Sequence, residues 1–192
     1  MAKIHYMEDS LKREQKGQPR SDRFYTDELN AIDIDRIGYS SEEEKAIQRS
    51  DIDLFATING KRVSISEKDR DIDFNDQLIE FYSIYPGKRG WMDNSEADYL
   101  AYFVPGRVIW INKHQLVEFY NNHLRDLPVE SHFERLFKTG GTYSKGHLKI
   151  LGKDEIISFI AAPNPGYVTM SIAVSFDLLK RAEVDFTITN FD

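Results

Sequence analysis

Two stretches of strand-forming residues, IDLFATI (Ile52 to Ile58) and KRVSIS (Lys61 to Ser66), flank Asn59-Gly60. β-Branched and aromatic residues favour a strand. Asn-Gly between two such runs predicts an antiparallel hairpin with a type I′ turn, because both residues tolerate positive φ. Just upstream, Ser41 and Glu44 have capping-box spacing, so SSEEEKAIQR reads as a short exposed helix feeding into Ser50-Asp51. NDQLIEFY (Asn75 to Tyr82) reads as a helix of about two turns, and Pro86, Gly87 and Gly90 break the loop YPGKRGWMDNSEA. DYLAYFV and RVIWI read as strands joined at Pro105-Gly106. Asn112 with Gln115 caps a helix whose apolar stripe is Leu116, Phe119, Tyr120 and His123. Beyond Pro128, SHFERLFK reads as a helix, and HLKIL, IISFIAA and VTMSIAV as strands. Ser175 caps the short helix FDLLKRA before a last strand, VDFTIT.

At the N-terminus, residues 1–22 are polar and charge-rich, with Gly17 and Pro19 as helix breakers, so they read as a polar arm, either a mobile tail or partly helical. Within Phe24 to Ile37 the helical reading centres on Thr26 to Ala31. The element order predicts an α/β (α+β) fold, with one mixed central sheet flanked by helices and a single domain over residues 23–192.

Composition narrows the chemistry. The 192 residues include no cysteine, which excludes disulfides, thiolate metal sites and a cysteine nucleophile. The N-terminal stretch has no apolar signal region and no run approaches the ~18 apolar residues of a membrane span, so a cytoplasmic protein with no membrane partner is expected. A net charge of -7 argues against coating nucleic acid by bulk electrostatics. It leaves room for local binding around a metal ion, since an acidic metal site contributes negative charge itself.

The hairpin's open end gathers charge. Asp51 lies just before the first strand, Asp53 starts it and Glu67-Lys68 ends the second, so a two-residue turn makes the residues near the open ends cross-strand neighbours. Two carboxylates and a carbonyl form a hard oxygen site suited to Mg²⁺ or Mn²⁺. A lysine beside such an ion can orient the attacking water, a set sufficient for phosphodiester hydrolysis.

Helix, strand with Asp, hairpin, and strand ending in an acid beside Lys: the stretch Glu42 to Tyr82 resembles the core of the PD-(D/E)xK nuclease superfamily, the restriction-endonuclease-like fold. Ile79-Glu80, Gly90-Trp91 and Ala97-Asp98-Tyr99 extend the resemblance toward Tyr120. It implies a metal-dependent nuclease, endo- or exonucleolytic, a hydrolase acting on nucleic acid and DNA first of all. Asp53 and Glu67 or Glu80 would hold Mg²⁺ (or Mn²⁺), and Lys68 would orient the water. Asp51, Ser66 and Glu44 are neighbouring or alternative positions, and Arg70, Lys88 and Arg89 would contact phosphates. Nucleases that cut both strands are often dimers, which adds a homodimer to the expectations. The second motif departs from the pattern, since Ser66 stands where the family has an acid. Strict alternation puts Ser66 and Lys68 on one face and Glu67 on the face of Val63. Three arrangements remain: a bulge brings Glu67 round, Glu80 supplies the carboxylate, or catalysis is lost and the domain binds nucleic acid or a protein partner.

Other candidates are weaker. His114, His123 and His132 match no metal-ligand spacing and read as surface histidines. TGGTYSKGH lacks the strand-to-helix context of a phosphate loop and reads as a hairpin connection.

Overall fold

In the computed structural model, which describes residues 17–192, the chain gathers into two compact units, each built on its own sheet, where the sequence pattern suggests one sheet and one domain. The fold is mixed α+β. One unit comprises residues 17–74, Asn94–Leu116 and Val184–Asp192; the other comprises Asn75–Asp93 and Val117–Glu183.

The first unit holds a six-stranded mixed sheet in the order β1-β2-β3-β6-β7-β11. Its strands are β1 (Ile32–Arg36), β2 (Leu54–Ile58), β3 (Lys61–Asp69), β6 (Tyr99–Val104), β7 (Arg107–Asn112) and β11 (Phe186–Asn190). The hairpin forms as its turn chemistry dictates, with Asn59 at φ 51° and Gly60 at φ 76° and Leu54 opposite Ile65. β3 then runs parallel to β6, which lies far along the chain. Parallel pairs need long crossovers and sit deep in a sheet; accordingly, all of β6 from Leu100 to Val104 is buried.

The helical segment over residues 17–29, α1, closes one face of this sheet. Its stretch Phe24–Glu28 has π pitch. Phe24 and Tyr25 pack against Leu54, Ala56, Val63, Ile65 and Phe103 as the core. Residues 17–22 are thus helical despite Gly17 and Pro19, the partly helical form of the expected arm and not a loose tail. Arg20 donates to the carbonyls of Val104 (2.9 Å) and Phe191 (2.8 Å), and this docking outweighs weak helix propensity. The rest of the predicted arm lies outside the described residues. The helix also ends earlier than the expected Thr26 to Ala31, and β1 follows it.

Helix α2 (Glu42–Arg49) carries the expected capping box, with Glu44 N–H on Ser41 Oγ at 3.0 Å and Glu44 Oε2 accepting from Ser41 N–H at 2.9 Å. Helix α3 (Lys113–Phe119) follows β7, and Asn112 Oδ1 accepts from the Gln115 N–H at 3.1 Å. Leu116, Phe119 and Tyr120 are buried as expected, but the chain takes π pitch over Tyr120–Leu124, which buries Leu124 and leaves His123 exposed.

The second unit is a five-stranded antiparallel sheet in the order β5-β4-β10-β9-β8. Its strands are β4 (Asp76–Ile84), β5 (Lys88–Arg89), β8 (Tyr143–Ile150), β9 (Lys153–Asn164) and β10 (Tyr167–Ser175), with helices α4 (Glu130–Thr139) and α5 (Phe176–Arg181). Here the helical reading of NDQLIEFY fails. Gln77, Ile79 and Phe81 are buried at every second position, and β4 pairs with β10 and β5. A short apolar run does not distinguish the two periods; the neighbouring strands decide.

Candidate functional site

The site is built in the six-stranded unit, where α2 hands over to β2. Asp51 takes the left-handed region at φ 58°, a conformation Asp tolerates better than most residues. The chain then joins the sheet one residue before β2. The Asp53 N–H donates to Ile65 O and its carbonyl accepts from Ile37 N–H, both at 2.9 Å. Asp53 thus lies on the face of Phe55, Ser64 and Ser66, opposite the α1 core. Its Oδ2 accepts the Glu67 N–H at 2.6 Å.

Lys68 is the centre of the charge cluster. Its Nζ stands 2.7 Å from Asp51 Oδ1 and 3.9 Å from Asp53 Oδ2. Asp51 is held from two further directions, by Ser95 Oγ at 2.9 Å and by Lys113 Nζ, both on Oδ2, the latter at 3.0 Å. Lys113 comes from the β7–α3 junction, where its N–H donates to Asp98 O, and its side chain is fully buried. The sequence reading missed it. One signal was available: a lysine in the first turn of a helix opposes the macrodipole, which suggests a nearby anion.

Burial sets the electrostatics. Desolvation alone would raise the Asp51 carboxyl, but the Lys68 and Lys113 ammoniums hold it well below the usual carboxylate range. Asp53 goes the other way. Burial pushes its carboxyl up, the Asp51 and Glu67 charges add to that, and Lys68 with the Glu67 N–H offsets only part. Lys113 is lowered to about 8, chiefly by desolvation, against the pull of Asp51. The cluster borders a cleft of about 520 Å³ lined by Arg20, Ser21, Asp51, Asp53, Glu67 and Lys68 among others.

Of the remaining expected residues, Glu67 and Ser66 stay beside the cluster with other partners or none, and the others are dispersed. β3 keeps an unshifted register with β2 and β6, so no bulge turns Glu67 toward Lys68. Its carboxylate faces the α1 side, taking Arg36 Nη1 at 2.8 Å and the Tyr25 hydroxyl at 2.7 Å. Ser66 is wholly buried beside Asp53, and its Oγ has no hydrogen-bond partner among the described residues. Glu80 lies on β4 of the other unit, on a strand and not on a helix, opposite Ser171. Glu44 is committed to its cap. Arg70 donates to the Tyr102 hydroxyl at 3.2 Å and stacks on Phe74. Lys88 and Arg89 form β5 in the second unit, where Arg89 Nε is 3.2 Å from Asp93 and its guanidinium lies over Tyr82. Of the histidines, His114 is exposed and 3.3 Å from Asp98, while His132 stacks on Phe159 with ring centroids 4.0 Å apart.

The Asp51-Asp53 pair suits an ion that keeps several waters, as Mg²⁺ does when one or two carboxylates and a substrate phosphate hold it. The raised Asp53 carboxyl marks a spot where negative charge is under-compensated, which a divalent cation would relieve. Among the described residues no group of three or more His, Cys, Asp or Glu side chains is placed to hold a metal. Among them, too, no helix is long and apolar enough to cross a membrane. No family model, curated protein or solved structure matches the chain.

Proposed function

We propose that this protein is a metal-dependent nuclease that hydrolyses phosphodiester bonds of nucleic acid, with DNA as the first substrate to test. The observation that supports it best is the placement of Lys68 Nζ between two mostly covered carboxylates, 2.7 Å from Asp51 and 3.9 Å from Asp53, at the edge of a cleft. In this reading Asp53 and Asp51 hold Mg²⁺ or Mn²⁺, in place of Glu67 or Glu80. The bound ion would supply Lewis acidity toward the phosphate and lower the pKa of an attacking water. Lys68 orients that water or steadies a phosphate oxygen. Glu67 contributes through its backbone N–H, which fixes Asp53, while its carboxylate ties β3 to Arg36 and α1.

The test is plasmid nicking in Mg²⁺ or Mn²⁺ together with Mn²⁺ calorimetry. Asp53→Ala and Lys68→Ala should each lower the rate by about 10²-fold or more, the scale of a lost acid–base or water-positioning group. Glu67→Gln should lower it far less; a loss equal to that of Asp53→Ala would return Glu67 to the ligand set. Wild-type protein that neither binds Mn²⁺ nor cuts single- or double-stranded DNA or RNA refutes the enzyme reading.

A second reading has its own support. Ser66 occupies the acid's place and Glu67 is engaged elsewhere, as expected of a catalytically silent nuclease-like domain that binds nucleic acid or a protein partner. Gel-shift binding to oligonucleotides without cleavage in any divalent ion would favour it.

A further inference from the structure

We infer that Lys113 is a positioning residue that frees Lys68 for work in the cleft, an inference that rests on the nuclease reading of the site. Asp51 has two ammonium partners of different character. Lys68 keeps 30% of its side chain exposed and lines the cleft, whereas Lys113 has 0% exposed. A lysine that engages a phosphate or a water must loosen its hold on Asp51. Before an ion is bound, a single partner would make that movement leave a 9%-exposed carboxylate uncompensated, the situation that makes breaking a largely buried pair costly.

Lys113 removes that obstacle. Its Nζ stays 3.0 Å from Asp51 Oδ2, on the other oxygen from Lys68, and Ser95 Oγ adds a neutral donor at 2.9 Å. Asp51 therefore remains charged and oriented when Lys68 swings away. The two ammoniums also repel each other across the carboxylate, which weakens the hold on the more exposed one. The left-handed backbone of Asp51 fits this picture. A residue held off the common backbone regions persists where its surroundings over-determine it, and here three donors from β3, the segment before β6 and the β7–α3 junction do so.

Acylation of lysines at one fixed pH, read by peptide mass, tests this without any nuclease assay. With the exposed Lys61 as internal reference, Lys113→Met should slow Lys68 labelling by about threefold or more, the scale of a strengthened, partly exposed ion pair. Lys113→Arg, which keeps a cation on Asp51, should label Lys68 near the wild-type rate. Ser95→Ala, a milder change, should slow it in the same direction and gives a result even if Lys113→Met fails to fold. In turnover, Lys113→Met should lower kcat with little change in KM, and Lys113→Arg should restore it. Unchanged Lys68 labelling in folded Lys113→Met, or in Ser95→Ala where Lys113→Met does not fold, overturns the inference. Slowed labelling in a protein that cuts nothing leaves the positioning role standing and removes the nuclease reading instead.

Discussion

Asp98 shows how a single side chain can be fixed by tertiary contacts that its sequence neighbours do not announce. Its Oδ2 accepts from both the N–H (2.8 Å) and the hydroxyl (2.9 Å) of Ser64, joining the segment before β6 to β3. Burial works to raise its carboxyl, yet these two donors and His114 outweigh burial and hold it below its ordinary value. A carboxyl lowered in the folded state contributes stability that is fully present above its unfolded pKa and is lost as pH falls through the folded one. Urea denaturation of wild type and Asp98→Asn should therefore differ at neutral pH, begin to converge below about pH 4, near the unfolded carboxylate value, and meet only below the lower folded one. A gap that stays constant down to acid pH would remove this role from Asp98. The Asp51–Lys113 pair teaches the same lesson, since its members meet across 62 positions, beyond any local pattern.

At the scale of elements, legibility followed the strength of local signals. The Asn59-Gly60 hairpin, the Ser41-Glu44 box and the Ser175 cap each rest on backbone demands that neighbouring residues satisfy, and each formed as read. The segment Asn75 to Tyr82 did not, because its pairing with β10 and β5 comes from distant chain. That strand places a strict demand on Gly90. A Cβ there would lie 2.1 Å from the Glu80 carbonyl oxygen, a contact that only a backbone shift relieves. Gly90→Ala is thus expected to separate β5 from β4 and to lower stability by several kcal/mol, at the severe end for point mutants. Thermal unfolding that stays within about 2 °C of wild type, at most about 1 kcal/mol for a chain of this size, would refute the close approach.

For the whole molecule, connectivity is the main consequence. Neither unit is a continuous stretch: after β3 the chain builds β4 and β5 of the five-stranded sheet before it returns as β6. β6 is the parallel neighbour on which β3 and the Lys68 end of the hairpin depend. A fragment ending at Phe74 lacks β6, β7 and Lys113, and with them the covered middle of its sheet. Such a fragment is expected to give the circular dichroism and collapsed amide dispersion of an unfolded chain, while the full chain gives native spectra. A cooperative, dispersed fragment would show that the hairpin and α1 are self-sufficient.

The sequence by itself determined the α+β class, most of the strands, the caps and the meeting of Asp51, Asp53 and Lys68, because turn chemistry and short-range periodicity act within a few residues. It posed the question of whether Glu67 and Lys68 face opposite ways, and the unshifted register of β3 answered it, since alternation holds only in an unbulged strand. Tertiary structure decided the rest: two sheets instead of one, a strand at Asn75 to Tyr82, Glu67 given to Arg36 and Tyr25, and Lys113 brought to Asp51. Those outcomes depend on which distant segments pair and on where burial makes a charge seek a partner, and neither is encoded in local spacing.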